Sequence, residues 1–160
     1  MSDFEQQLYE ARFGRKMTYK TAESLRNNGN FTTQLDEFVV DTERKVLAVM
    51  QTALSDLTRD SNTPKVKGGR LPVETGFLRS SAAAAINARP IGDVRGDKKD
   101  VYTYDATQVE TIIASINAGD TFYFGWTAEY ARLMEARNGF LEGAVMKWQS
   151  FVDKAVSKLR

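Results

Sequence analysis

The chain contains neither cysteine nor histidine. Disulfides, thiolate metal sites and Cys or His nucleophiles are therefore excluded, as are the usual zinc ligands. So is the commonest general base near neutral pH. Any catalysis would fall to carboxylates, Lys, Tyr, Ser or Thr. A strong charge of either sign is also missing: 22 basic against 21 acidic residues leave a net charge of +1, without the basic excess of a dedicated nucleic-acid binder. No apolar run approaches the roughly 20 residues that span a bilayer. The start, Met1-Ser2-Asp3-Phe4-Glu5, lacks the basic and apolar regions of a signal peptide. The expectation is a soluble chain, made in the cytoplasm, with no membrane partner. Its 160 residues suit one core.

Residues 1–34 read as an arm or extension. Phe4, Leu8 and Ala11 suit a short amphipathic helix, and Asn27-Asn28-Gly29-Asn30 breaks it. Residues 35–160 read as the main domain. Leu35, Phe38, Val39, Thr42, Val46, Val49, Met50, Ala53, Leu54 and Leu57 recur at spacings of three and four, which predicts one helix of roughly 37 Å with a buried stripe. Thr33 is its expected N-cap, and Ser61-Asn62-Thr63-Pro64 its end. Residues 61–74 then form a basic loop, open enough to become ordered on assembly. Thr75 caps a short helix, and a strand is expected over residues 83–89, although alanine propensity alone favours helix there.

Gly92, Gly96 and six charged residues mark 90–100 as a mobile loop or a hairpin tip. Asp105 and Gln108 are spaced as a capping box for a helix burying Val109, Ile112, Ile113 and Ile116. Gly119 suits its left-handed end. Thr121 to Trp126 is the clearest strand. Two helices follow, over about 128–137 and 141–159, separated by Asn138-Gly139. The expected fold is α+β, a small and mainly antiparallel sheet packed against a long N-terminal and a long C-terminal helix.

Candidate chemistry is sparse. Asp36-Glu37, Asp41-Glu43, Asp97-Asp100 and Glu129-Glu135 offer carboxylate pairs for a hydrolase, but Asp36, Glu37 and Glu43 fall on a polar helix face, where charges meet water. No phosphate loop, nucleophile elbow or dinucleotide fingerprint is present, and no cofactor is expected. Lys65, Lys67, Lys98 and Lys99 either face a polyanion or sit on ordinary solvated loops. Phe122, Phe124 and Trp126 share one strand face, and either stack bases or fill the core. These features sustain an alternative function, a small nucleic-acid-binding module. Arg79 and Arg132 are placed to pair with Glu74 or Glu135, within the chain or across subunits.

Two segments carry a resemblance. Gly69-Arg70-Leu71-Pro72-Val73-Glu74-Thr75-Gly76-Phe77-Leu78-Arg79-Ser80-Ser81 is similar to the Pro-Val-Asp-Thr-Gly-x-Leu-Arg-x-Ser pattern of the tail-completion, or neck, proteins of long-tailed bacteriophages, with Glu74 where Asp is usual. Gly119 to Arg132, continuing through Glu135 and Arg137 to Phe140, resembles the same family's strand-Gly-Trp-x-x-x-Tyr-Ala segment. The similarity covers about residues 35–160, in the same order.

The resemblance implies a non-enzymatic virion protein, a ring of about six or twelve copies at the head–tail junction. Its expected neighbours are a head-completion, adaptor or stopper protein on one side and a tail terminator or tail-tube protein on the other. Duplex DNA would pass through the lumen without specific binding, beside Lys65, Lys67, Lys98 and Lys99. The expected subunit-interface residues are Arg70, Glu74, Arg79, Tyr130, Arg132, Glu135 and Arg137. Gly125, inside an aromatic strand, suggests a bulge or a close backbone contact.

Overall fold

The computed structural model describes residues 19–97 and 99–159, with side chains from residue 29 onward. The short helix expected around Phe4 and the side chain of Lys98 lie outside the described residues. The described elements are α1 (Tyr19–Ser61), a 3-10 turn (Lys65–Lys67), α2 (Phe77–Ser80), β1 (Ala82–Ile86), α3 (Thr107–Ala114), β2 (Phe122–Trp126), α4 (Ala131–Asn138), α5 (Phe140–Val145) and α6 (Trp148–Ser157). The fold is α+β, as expected. Two compact units meet inside α1, dividing between Glu43 and Arg44.

In the first unit, the expected break at Asn27–Asn30 is absent, and α1 runs through it. A single glycine costs only about 1 kcal/mol relative to alanine, and a helix already nucleated on both sides tolerates it. Thr33 is not an N-cap. Its hydroxyl donates to Gly29 O at 3.1 Å, four residues back, as Thr42 donates to Phe38 O at 2.7 Å. Leu35, Phe38 and Val39, expected to be buried, are exposed.

The second unit holds two apolar clusters. One joins Ala84 of β1 to Val109, Ile113 and Ile116, with Leu47, Leu54, Ile86, Phe122 and Phe124 packed around them. This is the predicted α3 stripe, laid on the sheet. The other gathers Leu71, Phe77, Leu78, Ala128, Ala131 and Phe140, with Tyr102, Trp126, Met134 and Leu141 against it. Of the stripe expected in the C-terminal half of α1, Ala53 is buried, whereas Val46 and Met50 are exposed.

β1 and β2 pair antiparallel with Ala84 opposite Phe124 and Ala83 opposite Gly125. Gly125 makes no bulge, and open space lies where its Cβ would be. β1 stops at Ile86, short of the expected Arg89, because Asn87 adopts a left-handed φ of 57°. There its amide group bonds both Thr121 N and Asp120 Oδ1 at 2.9 Å, closing the turn into β2. The Asp120 carboxyl is held below its ordinary range by the Asn117 backbone N–H and the Asn87 amide.

The outer edge of β1 is occupied by a side chain. Gln108 Nε2 donates to Ala84 O at 3.0 Å, and Ala84 N donates to Gln108 Oε1 at 3.4 Å. The expected capping box is thus not formed. Asp105 alone accepts from Thr107 N, at 2.9 Å, while Gln108 replaces a neighbouring strand.

The 61–74 segment is closed on itself and not open as expected. Lys65 N donates to Leu71 O at 3.0 Å and Leu71 N to Thr63 O at 3.2 Å, and Leu71 is fully buried. Residues 90–100 also differ from the mobile loop expected: Thr127 Oγ1 donates to Asp93 O at 2.7 Å and Glu129 N to Val94 O at 3.0 Å, so this segment is held to the exit of β2.

The single last helix expected over 141–159 is two helices. The chain tightens at Lys147, whose N–H donates to Ala144 O at 3.0 Å in an i to i+3 pattern. The Lys147 ammonium bonds both Asp60 carboxylate oxygens at 2.9 and 3.0 Å, and Lys154 bonds Asp56 at 2.8 Å. With the break, Val145, Val156 and Leu159 are exposed.

Replacing Gln108 by Ala leaves the Ala84 amide and carbonyl without protein partners. The expected loss is about 1–2 kcal/mol of stability, read from urea denaturation, with faster hydrogen exchange at the Ala84 amide.

Candidate assembly surface

The segment from Pro72 to Leu78 folds around a glycine that nothing else can replace easily. Gly76 has a φ of 87°, and a Cβ there would run into the Tyr102 carbonyl. Tyr102 N donates to Thr75 O at 2.9 Å, and Thr75 Oγ1 accepts from Phe77 N at 3.3 Å. Thr75 is therefore not the N-cap expected: Gly76 holds that position with a left-handed backbone, and the Thr75 hydroxyl bonds the first helical N–H from one residue further back. The turn drives Phe77 inward, where its ring meets Tyr102 edge-on at 5.0 Å and approaches Tyr130 at 6.4 Å.

Pro72 to Leu78 line a cleft of about 630 Å³. Glu129, Tyr130, Met134 and Arg95 to Asp97 line it too. Of the expected interface residues, the fold brings Glu74 and Tyr130 together here. An ion pair, Arg95 to Glu129 at 2.8 Å, lies at the rim. It raises the Arg95 guanidinium pKa, through the hydrogen bond first and the charge second. Tyr130 lies above its ordinary value of 10.0, mainly through desolvation, which a hydrogen bond with the Leu78 backbone partly offsets. The nearby Glu74 charge adds to the rise.

Arg79 and Glu135 take structural roles within the chain. Arg79 Nε donates to Asn62 O at 3.1 Å, and the guanidinium lies 5.0 Å from the Tyr104 ring centroid. Such cation–π contacts contribute about 0.5–2 kcal/mol. Glu135 caps α5, accepting from Leu141 N and Glu142 N at 2.9 Å each. Neither Arg79 nor Arg132 pairs with Glu74 or Glu135 within the chain; the ion pairs among the described residues are others. Arg70 reaches Gly139 O at 3.3 Å, and its guanidinium covers Gly143 so closely that a Cβ there would collide. Arg132 and Arg137 are exposed on α4.

The basic residues separate. Lys65, Lys67 and Lys99 are all exposed, and Lys65 Nζ donates to Asn138 Oδ1 at 2.6 Å. The aromatic strand face turns inward. Phe124 meets Trp126 at 5.1 Å and Trp126 meets Phe140 at 4.7 Å, both edge-on, leaving Tyr123 as the exposed ring of β2. Asp36, Glu37 and Glu43 are exposed on α1. Among the described residues, no three His, Cys, Asp or Glu side chains gather as a metal-binding group.

Sequence reasoning missed Asn62, which had seemed only a helix stop. It is 2% exposed, and all of its polar side-chain groups are used. Nδ2 donates to Arg79 O at 3.4 Å, and Oδ1 accepts from Trp126 Nε1 at 3.2 Å. Tyr104, also missed, hydrogen-bonds to Asn62. Desolvation pushes the Tyr104 phenol above 10.0, against the lowering effects of Asn62 and the Arg79 charge. A buried polar residue at a helix end has no periodic signature, so the sequence offers no signal for it beyond the residue type.

No protein-family model, curated protein or solved structure matches the chain.

Two outcomes are expected. Asn62→Ala orphans groups on both resembling segments and lowers stability by about 2–4 kcal/mol, measured by thermal unfolding. At high pH the sign follows from the raised Tyr104 value. Above about pH 10 the unfolded phenol ionises while the folded one keeps its proton, so stability is full below that pH and falls as pH rises through the folded value. Urea midpoints between about pH 9 and 11 should fall less steeply in Tyr104→Phe than in the parent.

Proposed function

We propose that the protein is a structural component of a tailed-phage virion. In this reading it forms a ring at the head–tail junction, joins the tail to the DNA-filled head and surrounds the DNA channel. It acts by contact, with no bond made or broken. One observation carries the reading beyond the sequence resemblance. The two family-like segments, roughly fifty residues apart in the chain, both line one open cleft. Motifs that served only the core would have no reason to share a solvent-facing groove with Glu74, Tyr130 and an ion pair at its rim.

The ring requires head-to-tail contacts that close. Arg70, Glu74, Tyr130, Arg132 and Arg137 remain its best contact residues, since they are exposed. Arg and Tyr are favoured at such interfaces. Arg79 and Glu135 support the surface from within. The near-neutral charge suits a lumen that passes DNA without gripping it. The nucleic-acid-binding alternative is less well supported, because Phe124 and Trp126 are engaged in ring contacts inside the fold.

The test is genetic and structural. A stop codon in the gene, in a phage that encodes this chain, should yield DNA-filled heads and finished tails that stay separate in electron micrographs. Arg132→Glu should reproduce that phenotype with monomer stability changed by no more than about 0.5 kcal/mol. Infectious particles from the stop mutant, or absence of the protein from purified virions, would refute the proposal.

A further inference from the structure

We infer that the exposed face of α1 between Phe31 and Glu43 is a self-association seam, on which the same face of a second copy lies parallel and in register. Phe31 is 63% exposed, Leu35 49%, Phe38 66% and Val39 46%, on the part of α1 that lies in the first unit. Their spacing is that of a heptad. Thr32 and Val39 take one inner position, Leu35 and Thr42 the other, at alternating steps of three and four. The Thr42 hydroxyl donates back to Phe38 O at 2.7 Å, so its methyl can face the seam without an unsatisfied donor.

The flanking positions select the partner and its direction. Phe31 and Phe38 line one flank, and Asp36 and Glu43 the other, each pair seven residues apart. In a parallel pair, each flank position meets the opposite flank of the partner five residues further on. Phe31 then meets the second copy's Asp36, and Phe38 its Glu43, placing carboxylates beside the electropositive edges of aromatic rings. An antiparallel pair sets like flanks together and drives the acids of one copy against those of the other. The pattern is thus complementary to itself in one direction only.

Two such faces would bury roughly 800 Å² of apolar surface. That is the scale of a weak contact, so association is expected only at high protein concentration. The inference does not depend on the head–tail reading, and a protein of any other function would show the same pairing.

The absence of native cysteine makes the test direct. Leu35→Cys and Thr42→Cys each introduce a sole thiol at an inner seam position, and Val40→Cys places one on the opposite helix face. Under mild oxidation, Leu35→Cys and Thr42→Cys should each give a disulfide-linked homodimer at least about tenfold faster than Val40→Cys. Phe38→Asp should weaken association at least about tenfold in sedimentation runs, with an unchanged circular dichroism spectrum, since Phe38 is exposed. Two results overturn the inference: equal crosslinking at all three sites, or a mixed Leu35→Cys and Val39→Cys sample that links heterotypically faster than either links alone. The latter would show antiparallel pairing.

Discussion

The fold of the second unit depends on one buried amide. Asn62 stands where α1 ends, and from there it bonds the backbone of Arg79 and the indole of Trp126. Its own carbonyl accepts from the Arg79 side chain. Three stretches distant in sequence are therefore fixed at a single point. A buried polar group without its partners costs about 1–3 kcal/mol, so each partner holds the others in place. Arg79 adds the Tyr104 ring to the junction, and Trp126 extends it into the aromatic contacts with Phe124 and Phe140. The cleft lies beyond this junction, lined by residues directly preceding Arg79 and by residues following Trp126.

Local order was legible wherever it depended on short periods. The Val109, Ile113 and Ile116 face, the aromatic strand and the left-handed helix end at Gly139 follow from spacing and backbone preference, whereas α3 stops at Ala114 with a right-handed Ser115 cap, short of the Gly119 expected to end it. Polar residues whose partners are far away were misread. Gln108 had the spacing of a cap and instead reaches 24 residues back to Ala84. Arg79 and Glu135 have the chemistry of interface residues and also bond backbone elsewhere within the chain, which the sequence did not show. The division of the last helix was hidden for a similar reason. No proline or glycine lies at Met146 or Lys147, and what accompanies the turn is an ion pair with Asp60, 87 residues away. In α1 the apolar period was correct as a period, yet it did not say which part of the stripe the protein would cover for itself.

These misreadings alter the view of the surface. Arginines that look alike in the sequence fall into two groups. Arg70 and Arg79 hold backbone within the fold, whereas Arg132 and Arg137 point to water from α4. The same distinction separates Glu135, a helix cap, from Glu74, which stands in the cleft. A surface made of the second kind can change partners without loss of the fold, because the first kind bears the structural load.

The Gln108 clamp has a further consequence. A two-stranded sheet ordinarily presents unpaired backbone on its flanks, which invites strands from other molecules. Here a carboxamide on α3 fills the hydrogen-bonding slot at Ala84. Side chains of this kind terminate a ladder as a stopper ends a zip: they satisfy the last rung and offer nothing to the next. On that flank the protein is protected from templating its own misassembly, even when crowded beside many identical neighbours.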